Sequence, residues 1–295
     1  MSKTPLNRPV VFTAPAGASA GAADDDDLQV LLEPRFAAAW HLDTPAVSTT
    51  ATLRTRLMSR TAATRAAETQ MVTRRRRLVP REDLAAGATA QTLYEPAAGS
   101  PLRPGEPRLV RLLDLAPGTT VLAHEWSPAA SQARQRELLV LAGSVEVDGQ
   151  RLSLRDYRLL PAGAPAPALH APAGALLFVR EAQADEGYGC AALTVLDAKA
   201  GWPDFAPGIQ RRVLSQHQGQ ASMLYLAQPG AQVPRHTHGH DEECLMVQGE
   251  LFLDDLLLQP GDYQLAPAGT GHFITETDTG VVIYAHGDLD LQFLV

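Results

Sequence analysis

Residues 145–163 read Val-Glu-Val-Asp-Gly-Gln-Arg-Leu-Ser-Leu-Arg-Asp-Tyr-Arg-Leu-Leu-Pro-Ala-Gly. Residues 251–269 read Leu-Phe-Leu-Asp-Asp-Leu-Leu-Leu-Gln-Pro-Gly-Asp-Tyr-Gln-Leu-Ala-Pro-Ala-Gly. The two stretches align without a gap. The correspondence runs back to Gly143 and Gly249 and, with about six more residues in the first copy, to the Pro-Gly turns at Gly118 and Gly230. Each copy is a series of short apolar runs broken by Pro-Gly, Asp-Gly and Gly-Asp, the punctuation of antiparallel strands. Two homologous β-domains are therefore expected, at 82–195 and 200–295, and the fold class is all-β.

Composition agrees. Aromatics are only 5% of 295 residues, whereas 23 Gly and 22 Pro favour short strands and turns over long helices. A net charge of −8 argues against nucleic acid as the main partner, because phosphate binding needs a basic surface. Two cysteines, Cys190 and Cys244, cannot build a disulfide framework. With neither a secretory-type leader nor an apolar run of membrane-spanning length, the reading is a soluble cytoplasmic protein with no membrane partner.

Ahead of the repeats, residues 1–27 end in Asp24-Asp25-Asp26-Asp27 and contain little that packs, so a disordered tail is expected there. Residues 28–80 read as a short helical segment, with Leu53, Leu57 and Arg60 at helical spacing. Between residues 51 and 79 there are eight arginines against one acid, Glu68, which offers a surface for an acidic protein partner.

The chemistry concentrates at the end of the chain, where five of the nine histidines fall in the last 60 residues. His236 and His238 are spaced i, i+2, so a strand points both imidazoles to one face. Glu242 opens the next strand-like run, and His272 follows the tight turn 267–271. Three imidazole nitrogens and one carboxylate oxygen suit a single divalent ion, Zn first, with Fe, Mn or Ni also accepted, and leave positions open for a small molecule. Three further side chains are expected in the pocket: Cys244, two residues after Glu242; Tyr263; and Glu276, which would share a strand face with His272 and act as general base if the site is catalytic. A thiol beside a redox-capable ion would be an oxidation sensor.

These residues resemble the cupin superfamily. Its first motif, G-x5-H-x-H-x3-E-x6-G, runs from Gly230 through His236, His238 and Glu242 to Gly249. Its second, G-x5-P-x-G-x2-H-x3-N, runs from Gly261 through Pro267 and Gly269 to His272, with Glu276 where the family often has Asn. The resemblance implies two tandem cupin (jelly-roll) barrels, with His236, His238, Glu242 and His272 as ligands in the second. The first copy departs. Arg136 stands at the glutamate position, Trp126 at that of His238 and Ala166 at that of His272, with only His124 retained, so a degenerate barrel without metal is expected.

Within cupins, the stretch from His236 to Gly249 and the Gly261-Asp-Tyr263 turn look like the ChrR-type cupin, the zinc-binding half of an anti-sigma factor. That resemblance implies a regulatory or sensing module. The family's own anti-sigma zinc ligands are missing, since no cysteine precedes Cys190 and His41 is the only histidine before His124. The alternative is an Fe-type dioxygenase acting on a small molecule. A homodimer is compatible with either, because barrels bury their sheet edges against one another.

Overall fold

The computed structural model describes residues 54–56, 58–59, 70–97, 99, 105–127, 134–184 and 191–294. The expected tail at 1–27 and the spacing of Leu53, Leu57 and Arg60 lie outside these residues, as do His41 and Cys190. Residues 54–56 and 58–59 are helical and exposed. Everything that follows concerns the unit that spans residues 60–295.

Both repeats form antiparallel β-barrels. In the first, Arg134–Val147 lies between Tyr157–Leu160 and Ala175–Gln183, and Pro107–Leu115 and Ala88–Tyr94 extend the sheet. In the second, Glu242–Gly249 lies between Tyr263–Ala266 and Val281–Asp288, followed by Gln220–Ala227 and Ile209–His217. The strands correspond as the sequence repeat requires. Gly143 and Gly249 hold φ near +70° and +73°, and a Cβ on either would lie within 2.1 Å of the backbone oxygen of Gly174 or Gly280, so each must stay glycine.

Two arms lace the barrels together. Val72–Arg74 is not helical, contrary to expectation for 28–80. It is a strand that pairs with Tyr263–Ala266 of the second barrel. Leu193–Val195, the equivalent strand ahead of the second barrel, pairs with Tyr157–Leu160 of the first. Each arm turns into a short helix whose first N–H is caught by the other barrel's Asp-Tyr turn. Arg76 N donates to Asp262 Oδ1 at 2.9 Å, and Asp197 N donates to Asp156 Oδ1 at 2.7 Å. Arg75 Nη1 donates to Asp262 Oδ2 at 2.9 Å, so part of the arginine run is spent inside the molecule. Composition suggested a helix there because Arg and Ala favour one, but the partner strand that overrides this preference lies far along the chain.

Three apolar clusters result. One fills the first barrel from Ala88 to Val179 and includes Trp126. A second is smaller, sits inside the second barrel and contains Cys244, Met246, Leu251 and Leu258. The third joins the barrels back to back, pairing repeat-equivalent residues: Leu139 with Leu245, Tyr157 with Tyr263, and Phe178 with Tyr284, whose rings lie 4.9 Å apart. Fully burying each such side chain is worth about 1.5–3 kcal/mol. Set in this apolar face is one buried guanidinium. Arg180 Nη1 donates to Glu137 Oε1 at 2.9 Å and Arg180 Nε to Glu243 Oε1 at 2.8 Å. Glu137 Oε2 accepts from Tyr157, Ser222 and Tyr284, and Glu243 Oε2 accepts from Tyr263.

Candidate metal centre

The second barrel brings the four expected residues to one place. His236 and His272 are direct cross-strand partners in the ladder between His236–Thr237 and Gly271–His272. His238 follows two residues on, its backbone tied to the 267–270 turn by His238 N to Thr270 O at 2.9 Å and Gly269 N to His238 O at 2.8 Å. Glu242 opens the strand Glu242–Gly249. Gly271 allows the close crossing, since a Cβ there would lie 2.3 Å from His236 O.

The three imidazole centroids are 5.0 to 5.7 Å apart, and Glu242 Oε2 is 3.5 Å from His238 Nε2. One donor atom from each of His236, His238 and Glu242 lies within 4.8 Å of the others. The histidine tautomers are set from behind. His236 Nδ1 donates to Pro234 O at 3.0 Å and His272 Nδ1 to Asp254 Oδ2 at 3.1 Å, so in both rings Nε2 carries the lone pair. His238 Nε2 is buried with no hydrogen-bond partner in the protein.

Electrostatics fit the same picture. Burial, with the adjacent His272 and His236, pushes His238 down to about 3, and burial also lowers His236. Burial raises the carboxyl of Glu242, which among the described residues has no arginine or lysine partner. Neutral imidazoles, an orphaned ring nitrogen and a buried carboxylate without a cation are the state a divalent ion relieves.

The other expected pocket residues are placed differently. Glu276 points away from the cavity and accepts from Gln232 Nε2 at 3.1 Å at the surface. A bend at Phe273 and Ile274 breaks the strand alternation after His272, so Thr275 and Thr277 line the cavity instead. That bend is held by Asp254, whose Oδ1 accepts from Phe273 N at 2.7 Å and Ile274 N at 3.1 Å. Tyr263 pairs with Leu245 and so faces the other barrel rather than the metal pocket. Cys244 does lie on the inner face, within the apolar cluster, where burial raises its thiol well above the usual range and keeps it protonated. His240 is exposed and bound to Asp288 Oδ1 at 2.5 Å.

Asp254 and Asp288 were not found from the sequence. Asp254 orients His272, and Asp288 Oδ2 accepts from Gly239 N at 2.5 Å in the loop between His238 and Glu242. Both are unremarkable loop or strand-end acids in sequence. The signal available for Asp254 was its match to Asp148 in the first copy, also at positive φ.

Beside the ligand set is a cavity of about 60 Å³, walled by Met223, Tyr225, Val281 and Ile283, with His236 and Glu242 contributing to its lining. In the first barrel the corresponding space is filled. Trp126 is fully buried and donates from Nε1 to Pro167 O at 2.9 Å. Arg136 donates to Ser127 Oγ at 2.7 Å, and His124 sits exposed on the short helix Ala123–Trp126.

Residues 191–290 match the family model described as the ChrR Cupin-like domain. No curated protein sequence matches the chain. Among solved structures, a candidate dioxygenase from Nostoc punctiforme is 13% identical with a TM-score of 0.60, over 77% of this chain and 85% of that one. Protein Ylba from E. coli is 15% identical with a TM-score of 0.58, over 74% and 90%. An oxalate decarboxylase from Lactobacillus farciminis, solved as a formate complex, is 12% identical with a TM-score of 0.54, over 75% and 87%. Among the described residues no helix is long and apolar enough to cross a membrane. The chain is thus an all-β protein of two tandem barrels with the cupin-type jelly-roll fold, of which residues 191–290 match the ChrR Cupin-like domain model.

Proposed function

We propose that the second barrel holds one divalent metal ion through His236, His238, Glu242 and His272, zinc first and Fe, Mn or Ni within reach of the same donors, and that the protein is a regulatory or sensing module of ChrR-like type. The metal assignment is supported by donor atoms of His236, His238 and Glu242 within 4.8 Å of one another, by the unpartnered Nε2 of His238, and by the His272 ring 5.0 and 5.7 Å from the other two. The observation that carries the sensing reading is the cavity wall. Apart from the ligands, its titratable groups among the described residues are Tyr225, pushed up to about 12 by burial, and Asp288, committed to Gly239 and His240. No free acid or base reaches a bound small molecule, so the cavity is equipped to recognise rather than to transfer protons. Arg74 and Arg77, exposed in the described part of the arginine-rich stretch, would meet a protein partner.

The second reading, an Fe-type dioxygenase, is favoured by the apolar character of the same wall. Bound iron would supply the redox chemistry, and the chain would contribute Met223, Ile283 and Val281 to orient an apolar substrate and exclude water.

Protein purified without immobilised nickel should contain about one equivalent of redox-inert zinc, lost in His236→Ala, with no oxygen uptake when small molecules are added. Iron together with substrate-dependent oxygen uptake overturns sensing in favour of the enzyme, and metal retained in His236→Ala overturns both. The aspartate behind His272 gives a separate prediction. Asp254→Ala should weaken metal binding about 10- to 100-fold in a chelator competition while leaving the fold intact by circular dichroism, because the imidazole loses its orienting acceptor.

A further inference from the structure

The back-to-back face contains a buried histidine that the metal site does not use. His286 is 1% exposed, and its Nδ1 lies 2.9 Å from Ser222 Oγ. Ser222 has a single hydroxyl proton, and it goes to Glu137 Oε2 at 2.6 Å. The proton between Ser222 and His286 must therefore sit on Nδ1, which leaves Nε2 as a bare acceptor. Burial and the neighbouring Arg180 push His286 down to about 3, so the ring is neutral. Nε2 is buried and has no hydrogen-bond partner in the protein.

The ring forms part of the wall of a cleft of about 210 Å³ between the barrels, to which the first barrel gives Glu106 and the second Gln220, His240, Asp241 and Glu243. No arginine or lysine is among its described lining residues. Asp241 has a backbone donor, Ala268 N at 2.8 Å, and no cation is paired with it among the described ion pairs. Glu243 is already paired with Arg180 and Glu106 lies 3.6 Å from Arg108, so the wall presents an uncharged nitrogen lone pair beside the carboxylate of Asp241. A neutral acceptor selects an N–H or O–H donor, and the Asp241 carboxylate selects a cation. The cleft is several times the roughly 30 Å³ that one water occupies in the liquid, so a donor carrying a few carbons fits.

We propose that this cleft is a second ligand site, specific for a small primary ammonium ion whose N–H groups meet His286 Nε2 and the carboxylate of Asp241. Its lining residues are distinct from those of the metal cavity, although Glu242 and Glu243 are neighbours in one strand and His286 and Gly287 in another.

The test uses the full chain, with ethylammonium as the probe and tetramethylammonium, a cation with no N–H, as the control. In ¹⁵N-histidine spectra at pH 7, the Nε2 resonance of His286 should start as an unprotonated nitrogen and shift on titration with ethylammonium but not with tetramethylammonium. Calorimetry should show ethylammonium binding weakened about tenfold or more in His286→Leu and in Asp241→Asn, the loss expected for one charge-assisted hydrogen bond. Asp241 is at the surface, so its variant keeps the test alive if His286→Leu does not fold. An Nε2 resonance unmoved by ethylammonium, equal binding of both cations, or undiminished binding in Asp241→Asn overturns the proposal and leaves the cleft as a hydrated seam.

Discussion

Replacing Arg180 by methionine is expected to destabilise the two-barrel unit by about 3–5 kcal/mol at pH 7, because it strands two buried carboxylates without a cation. Arg180, Glu137 and Glu243 are each 1% exposed or less, so water cannot take over the lost partner. The effect should depend on pH in a defined direction. Burial opposes ionisation of Glu137, but Arg180 and the hydroxyls of Ser222 and Tyr284 outweigh it and hold the carboxyl below its ordinary value. In the native protein that contribution is complete above the unfolded carboxylate pKa and is lost as pH falls through the lower folded value. Without the guanidinium only burial remains, which raises the carboxyl, so protonation relieves the variant. Urea unfolding at pH 7 and pH 5 should show the deficit shrinking at the lower pH. A deficit under about 1 kcal/mol, or one that does not change with pH, would mean that the network is not what holds the barrels together.

That network also shows what the sequence could and could not reveal. The gapless repeat made the tandem barrels legible, and motif spacing anticipated that His236, His238, Glu242 and His272 lie close together, because both depend on local strand geometry and turn chemistry. Arg180 and Glu137 were opaque. Each lies in the middle of an apolar run, and its meaning comes only from the residue facing it in the other barrel. Glu276 and Tyr263 failed for a related reason. Period-two reasoning holds only while a strand is unbroken, and the bend at Phe273 and Ile274 shifts the phase by one residue. Tyr263 sits on a strand with two buried faces, where alternation does not say which side holds the site.

The exchanged arms explain why the first barrel remains although its ligand positions hold Arg136, Trp126 and Ala166. Val72–Arg74 completes the sheet of the metal-binding barrel, while Leu193–Val195 completes that of the filled one. Glu243, next to Glu242 in sequence, is fixed by Arg180 from the first barrel. The filled barrel therefore acts as a rigid support behind the strand that presents the Glu242 carboxylate, with Trp126 and its neighbours giving it a dense core.

Acid should unfold the metal-free protein early, and metal should delay it. His238 and His286 are both pushed down to about 3, by burial first and then by neighbouring positive or imidazole groups. An unfolded histidine takes up its proton near pH 6.5, so between about 6.5 and 3 the unfolded state binds protons that the folded state refuses. Stability then falls with pH by roughly 1.4 kcal/mol per unit for each of these two groups, or about 5 kcal/mol between pH 6.5 and 4.5. That is comparable with the whole stability of an ordinary domain. Metal at about 100 times its dissociation constant should add roughly 2.7 kcal/mol at pH 7 and move the acid midpoint downwards. In His272→Ala the metal-dependent shift should disappear while the slope from His286 persists, since that ring is hydrogen-bonded to Ser222 rather than to any of the four residues. Circular dichroism against pH, with chelator and with zinc, reads both quantities. A zinc-dependent shift that survives in His272→Ala would place the ion elsewhere, and an acid midpoint unmoved by zinc in the native protein would mean that these four residues hold no metal.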